Sequence, residues 1–332
     1  QELIAQRPLA QRDQSKMMIL DRKDESRQDL IFSELPHFLE EGDLLVLNDT
    51  KVIPARLRGS ISGKKAAAEI LLLHKDKEQS WVGMVKPGRK LKPGARITID
   101  RENETEVEIV GYAEEGMRKI RFVSDLPEED LLHRYGEVPL PPYITTQVED
   151  PDQYQTVYAK KSGSAAAPTA GFHFTDAVFS ALKQKKVKLA YITLHIGPGT
   201  FRPVKADDIR EHIMHSEYYQ LDQATVDTLN ETRGKGKRII AVGTTVCRVL
   251  ETAATEDGFF PKPEQGWTDL FIYPGFKFRT VDALLTNFHL PCSSLLMLVS
   301  AFAGYEFIMS SYREAVSKNY RFFSFGDCML II

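Results

Sequence analysis

Two hydrophobic rhythms divide the chain. Residues 43–49, Asp-Leu-Leu-Val-Leu-Asn-Asp, are a short apolar run closed by polar residues, the pattern of a buried strand entering a turn. From about 55 to 125, short runs recur without a helical period and predict strands at 69–74, 81–86, 96–99, 106–112 and 119–123. Gly63, Pro87-Gly88 and Pro93-Gly94 punctuate them as turns, so this stretch predicts a small antiparallel barrel or sandwich. Pro139, Pro141 and Pro142 then give it a stiff, extended exit.

After about 150 the periods alternate. A helix at 176–186 precedes a strand at 188–194, and a helix at 223–233 precedes a strand at 238–242 and a further helix from Thr244. A strand-like 271–273, a helix at 293–303 and a closing strand at 327–332 continue the series. The expected fold is an α/β main domain with an inserted small all-β, antiparallel barrel-like domain. Residues 1–55 lack a complete core, so they are expected to join 150–332 as a discontinuous catalytic domain, with 56–149 as the insertion.

Composition narrows the classes. A net charge of −3 over 332 residues gives no bulk basic field, so nucleic acid could be held only by local patches. Cys247, Cys292 and Cys328 are scattered and odd in number, which disfavours a disulfide framework or a cysteine zinc site and predicts a cytoplasmic protein. The longest apolar run, 295–303, is broken by Ser300 and too short to cross a bilayer. The chain opens at Gln1 without a methionine, so native N-terminal residues are expected to be missing. A monomer is expected rather than an obligate oligomer.

Five clusters carry candidate chemistry. In 164–175, SAAAPTAGFHFT, small residues leave room for a ligand against the backbone, Pro168 restricts the turn, and Gly171 can take positive φ. His173 stands between Phe172 and Phe174, with Thr175 an N-cap for the next helix. In 193–202, Gly197 and Gly199 can expose N–H groups beside His195, Thr200 and Arg202, enough to hold a carboxylate, phosphate or ribose. In 211–217, His212 and His215 share a face if the segment is helical, which keeps a metal site open alongside a base cluster with Glu217; with no H-E-x-x-H and no fixed third ligand, no metal is expected. Gly243-Thr244-Thr245 opens a helix after a strand, as at many anion and nucleotide sites, and Thr286-Asn287-Phe288-His289 precedes another. Any one cluster is explicable as a turn or cap, but five in one α/β domain are not. Lys86, Arg89, Lys90, Lys92 and Arg96 place five positive charges on a predicted hairpin, and Lys183, Lys185, Lys186 and Lys188 form a second basic run.

These residues resemble one family, the S-adenosylmethionine:tRNA ribosyltransferase-isomerases of bacterial queuosine biosynthesis. The similar segments include 45–56 (LVLNDTKVIPAR), 139–144 (PLPPYI), 163–175, 193–203, 212–218, 241–245, 266–274 (GWTDLFIYP), 282–291 (DALLTNFHLP), 298–304 and 320–330, in order along almost the whole chain. Phe172 stands where the family pattern has Leu, Val246-Cys247 where it has Ser-Val, and Lys16-Met17 where it has Arg-Leu.

The resemblance implies that the ribosyl part of S-adenosylmethionine, a co-substrate with no tightly bound cofactor beside it, is transferred and isomerised onto the aminomethyl group of preQ1 in a tRNA anticodon. Epoxyqueuosine-tRNA, adenine and methionine are the implied products. Several proton transfers are then needed, each served by a positioned acid or base. His173, His195, His215, Glu217 and His289 are the candidates, with His173 as shuttle near the ribose 5′ carbon and His215 paired with Glu217. Thr169, Gly171, Gly197, Gly199, Thr200, Arg202, Gly243, Thr244, Thr245, Tyr273 and Asn287 would bind the co-substrate. Arg202 would meet its carboxylate, and Phe172, Phe174 or Tyr273 its sulfonium. Lys86, Arg89, Lys90, Lys92, Lys185 and Lys186 would contact the RNA backbone. The competing readings are a non-catalytic tRNA-binding module, a metal-dependent nucleoside hydrolase using His212 and His215, and a methyltransferase.

Overall fold

Leu44–Asn48 is buried at every position, and its sequence ends in a residue that closes the strand. The Asn48 carboxamide accepts from the N–H groups of Thr50 (3.2 Å) and Leu194 (3.0 Å) and donates to the Leu194 carbonyl (3.0 Å). The computed structural model describes residues 2–332 except 65, 77, 101–104, 147–149, 198, 200–207 and 213. They form two compact units: Gln1–Thr50, Pro141–Lys161 and Ala167–Ile332 in the larger, Lys51–Leu140 and Ser162–Ala166 in the smaller.

The larger unit is built on a nine-stranded mixed sheet. Its order is Glu264–Thr268, Glu217–Leu221, Lys188–Leu194, Leu44–Asn48, Ile239–Val242, Ala283–Asn287, Cys328–Ile331, Lys16–Leu20, Arg27–Ile31. Four neighbours, from Lys188–Leu194 to Ala283–Asn287, run parallel, so Leu194, Asn48, Val242 and Asn287 end at one edge. The strand that follows Leu44–Asn48 in the sheet's parallel part lies on one side of it, and the later two lie on the other. That reversal is where α/β sheets open a crevice.

Alternate residues of these strands face opposite layers. Leu45, Leu47, Ile240, Val242, Ala283 and Leu285 join Phe174, Val178 and Leu182 of the 3₁₀ turn and helix Asp176–Gln184 in one core. Helix Thr244–Ala253 packs on the sheet and is buried at all its positions but Thr252. Burial on both faces is why these strands read as continuous apolar runs.

The smaller unit is all-β at its centre, as expected. Arg56–Ile61, Ala67–Lys75, Trp81–Lys86, Arg118–Val123, Thr105–Tyr112 and Arg96–Asp100 pair antiparallel in that order, and the last returns to pair with the first. The barrel so closed encloses Leu57, Ile70, Leu72, Ile97, Val107, Ile109 and Ile120 and leaves these strands no open edge.

Four sequence expectations are corrected. Residues 86–96 do not form a hairpin, because Trp81–Lys86 and Arg96–Asp100 are not neighbours in the barrel. The 271–273 run is not a strand; Phe271 packs on Tyr273 and edge-on against His212, while the ladder forms at Glu264–Thr268. That edge strand faces solvent with Glu264, Gln265 and Trp267, so no buried apolar run announced it. The 211–217 segment is not helical: a 3₁₀ turn at Ile209–Glu211 is followed by strand Glu217–Leu221, whose side chains alternate in and out. His212 and His215 therefore share no helix face. Gly171 does not take positive φ, and its lack of a side chain serves packing, since a Cβ there would lie 2.0 Å from the Tyr158 hydroxyl oxygen. Among the described residues no single helix is long and apolar enough to cross a membrane.

Barrel closure makes a local demand on Gly59, where a Cβ would meet the Thr98 carbonyl oxygen at 2.4 Å. Gly59→Ala is expected to destabilise the smaller unit by about 1–3 kcal/mol, the usual cost of overpacking. Urea unfolding monitored at Trp81 checks this; an unchanged midpoint would contradict the closure.

Candidate functional site

The carboxyl ends of Ile239–Val242 and Ala283–Asn287 open on a pocket of about 620 Å³. Its walls come from the Ala167–Ala170 segment, Ile196, Gly243–Thr245, Thr286–Leu290, Leu295, Tyr143 and Phe323–Ser324, all in the larger unit. Among the described residues the lining carries hydroxyls, one carboxamide, the His289 imidazole and aromatic faces, and no carboxylate, lysine or arginine.

Each wall has a local cause. Gly243 turns the chain from strand to helix at φ +96°, a conformation side chains resist. It also N-caps helix Thr244–Ala253 without a side-chain hydrogen bond, so the first helical N–H groups stay available at the pocket. Phe323 is held at φ +72°, rare for a bulky residue, with its N–H donating to the Phe288 carbonyl at 3.1 Å.

Asn287 joins these walls. Its Nδ2 donates to the Phe323 carbonyl and to His173 Nε2, each at 3.3 Å, and its Oδ1 accepts from the Thr169 hydroxyl at 3.3 Å. A carbonyl can only accept, so Phe323 fixes the amide's orientation, and the amide in turn makes His173 Nε2 an acceptor. His173 Nδ1 then carries the proton and donates to Ser15 Oγ at 2.6 Å, which donates on to the Arg12 carbonyl at 3.2 Å. Burial, reinforced by the charges of Arg321 and Arg12, pushes the His173 imidazole down to about 3. It is neutral, saturated at both nitrogens, and absent from the pocket's lining.

His289 does line the pocket. Its Nε2 pairs with the Thr286 hydroxyl at 2.9 Å, its N–H donates to the Tyr312 hydroxyl at 2.9 Å, and burial lowers its pKa to about 3. The remaining histidines gather elsewhere. His195 follows the Lys188–Leu194 strand, holds the Thr50 hydroxyl at Nδ1 (2.8 Å), stacks on Tyr218, and is lowered in pKa by burial. His215 packs on Gly199, where a Cβ would lie 2.1 Å from its ring. The Glu217 carboxylate receives the Gly197 N–H at 2.9 Å and forms a buried ion pair with Arg248, whose Nε donates to the Leu270 carbonyl at 2.9 Å. Glu217 is thus committed to Arg248 and the Gly197 backbone, and that N–H is not open to a ligand. Ile196 links this second cluster to the pocket along the chain.

The predicted binders divide accordingly. Thr169, Gly243, Thr244, Thr245 and Asn287 come together with His289; Gly197 and Gly199 belong with His195 and His215; Thr200 and Arg202 lie outside the described residues. Tyr273 packs against Phe271 with the two rings tilted by 40°, rather than lining the pocket. Phe174 is fully buried among Phe32, Tyr158 and Phe179, and Phe172 lies under the Arg12 guanidinium, so neither faces the pocket. Lys86, Arg89, Lys90 and Lys92 are exposed on a loop whose carbonyls at Gly88 and Leu91 are tied down by Arg118. Lys185 is spent on the Pro36 carbonyl and Lys186 on Glu41. Among the described residues no group of three or more His, Cys, Asp or Glu is placed to hold a metal.

Sequence reasoning passed over Arg248, Ser15, Ser324 and Tyr143. Arg248 carried a signal, being a charge inside an otherwise buried helix face. Ser15 carried none, because only folding brings it to His173.

Both neutral imidazoles have a consequence for stability. Unfolded, each titrates near 6.5; folded, His173 and His289 stay neutral down to about 3, so the unfolded chain binds more protons in between. Stability is expected to fall as pH drops from about 6.5 towards 3, by up to about 1.4 kcal/mol per pH unit for each imidazole. Urea midpoints at about pH 7 and pH 5 measure the slope, and it should be shallower in His173→Gln and His289→Gln; equal slopes would contradict the assignment.

Comparison with known proteins gives the family of the chain. A family described as "Queuosine biosynthesis protein" matches residues 1–331. A relative from Acetivibrio thermocellus is 51% identical over 331 residues, covering 100% of this chain and 96% of its own. One from Halothermothrix orenii is 50% identical over 332 residues, covering 100% and 97%. Both are named S-adenosylmethionine:tRNA ribosyltransferase-isomerase. The crystal structure of an S-adenosylmethionine tRNA ribosyltransferase from Thermotoga maritima is similar with a TM-score of 0.55 and 42% identity, covering 100% of this chain and 97% of that one. The chain belongs to the queuosine biosynthesis protein family.

Proposed function

We propose that this chain transfers and isomerises the ribosyl moiety of S-adenosylmethionine onto the 7-aminomethyl group of preQ1 in a tRNA anticodon, giving epoxyqueuosine-tRNA, adenine and methionine. The observation that carries the reading is the pocket at the carboxyl ends of the parallel strands, where hydroxyls, a carboxamide and aromatic rings meet. A few convergent polar groups set among apolar and aromatic walls suit a nucleoside-bearing ligand. The names borne by the relatives supply the substrate classes, S-adenosylmethionine and tRNA.

The residues take roles that follow from their hydrogen bonds. Both Asn287 Nδ2 hydrogens are spent on Phe323 and His173, and Oδ1 retains one lone pair beyond Thr169. Asn287 therefore presents an acceptor, suited to a ribosyl hydroxyl. Thr244, Thr245 and Thr286 line the same wall, and Tyr143 and Phe323, with ring centroids 4.9 Å apart, offer π faces to a base or sulfonium. His173 acts through Asn287 as a positioning residue and not as a proton shuttle. Proton transfer falls to His289, which lines the pocket, and to His195 and His215 in the adjoining cluster, with Glu217 and Arg248 as their frame. The exposed Lys86, Arg89, Lys90 and Lys92 would meet RNA phosphates.

Incubation with S-adenosylmethionine and preQ1-containing tRNA should release adenine in step with a ribosyl adduct on the tRNA, quantified by mass spectrometry. Activity should survive exhaustive chelation. S-adenosylhomocysteine in place of adenine would replace the reading by methyl transfer, and loss of activity on chelation would favour the metal-dependent hydrolase. Asn287→Ala is expected to weaken equilibrium S-adenosylmethionine binding about tenfold, one buried hydrogen bond of roughly 1.4 kcal/mol.

A further inference from the structure

Behind His173 lies a second, smaller pocket of about 260 Å³, lined by Pro8, Leu9, Arg12, Ser15, Phe172, Arg321 and Phe325 among others. Two guanidinium groups in so small a space need an explanation. Arg12 donates to the carbonyls of Gln155 (2.6 Å) and Asp152 (2.9 Å), and Arg321 to those of Phe325 (2.7 Å) and Arg7. Neither forms an ion pair with a carboxylate among the described residues. Arg321 spends only Nη2, leaving Nε and Nη1 without a hydrogen bond there, and Arg12 likewise leaves Nε. Desolvation acts on both, and both disfavour a charge on His173.

We infer that this pocket is an oxyanion site and that its ligand is a backbone phosphodiester of the substrate RNA. Carbonyls hold the two guanidinium groups in place, and the carboxylates that act on them, Asp150 and Asp152 on Arg12 and Asp327 on Arg321, form no ion pair with them, which is the arrangement an anion completes. The volume admits a phosphate group. Ser324 lines both pockets, so a nucleotide whose base enters the larger would carry its own phosphate past the smaller. Apolar walls at Pro8, Leu9, Phe172 and Phe325 lower the local dielectric and strengthen the contact. The assignment rests on the proposed RNA substrate, and it adds a contact made through charge rather than base sequence.

The test measures equilibrium binding of a preQ1-containing tRNA, and separately of S-adenosylmethionine, for wild type, Arg321→Gln, Arg12→Gln and Arg321→Lys over a range of salt. Each glutamine variant should bind tRNA at least about tenfold more weakly and lower the log–log salt slope by about 0.7–0.9, as expected for one lost phosphate contact. Arg321→Lys should restore most of the slope, and S-adenosylmethionine affinity should not change. Unfolding midpoints identify any variant that is merely destabilised; the other arginine then carries the comparison. An unchanged slope in folded variants overturns the inference and leaves the arginines as loop ties. Weakened S-adenosylmethionine binding with intact tRNA binding assigns the anion to the methionine carboxylate and overturns it too. Adenine release by the wild type is scored in the same preparation, so failure of the overall reaction is distinguishable from failure of this site.

Discussion

The Asn287 carboxamide holds the candidate site together. It sits at the end of a fully buried strand and ties three segments distant in sequence: the turn at Thr169–His173, the left-handed Phe323, and through His173 the Ser15–Arg12 stretch. Each bond constrains the next. The Phe323 carbonyl orients the amide, the amide selects the His173 tautomer, and that tautomer makes Ser15 an acceptor. A buried chain of this kind is stable only when every member is satisfied. No member can change its hydrogen-bonding role alone, so the pocket wall is presented in one arrangement.

The second cluster obeys a different constraint. The Glu217–Arg248 ion pair is removed from water, and such pairs tolerate burial only when their remaining valences are met. Here the Gly197 N–H and the carbonyls of Leu270 and Thr268 meet them. The pair thereby fixes the chain after Ile196, and with it His195 and the glycine on which His215 packs. One cluster is neutral and saturated, the other is anchored by charge. Ile196 belongs to the pocket, and its neighbours on either side belong to the anchored cluster.

Much of this was legible in the sequence where burial is complete. Leu44–Asn48, Ile239–Val242 and the barrel strands announce themselves because an apolar run or a strict alternation has few other uses. The Thr244–Thr245 helix start and the Thr286–His289 turn stood out as polar residues at strand ends, and the fold brings them to one pocket wall. What failed was assignment of partners. The resemblance cast His173 as a proton shuttle at a tight turn, yet its ring nitrogens are held by Ser15 and Asn287, 158 and 114 residues away in sequence. Glu217 looked like a partner for His215, two residues before it, and is held by Arg248 from another element. The edge strand Glu264–Thr268 was invisible because half of it faces water. Local pattern reports burial well and long-range hydrogen bonding not at all.

The central claim is that S-adenosylmethionine occupies the pocket at the ends of the parallel strands. Amide hydrogen exchange, with and without S-adenosylmethionine, tests it most directly. The account predicts slower exchange at Thr244–Thr245 and Asn287–His289, which line the pocket, with the barrel strands unchanged. Protection confined to other segments, with exchange at these two unaltered at saturating ligand, would contradict it.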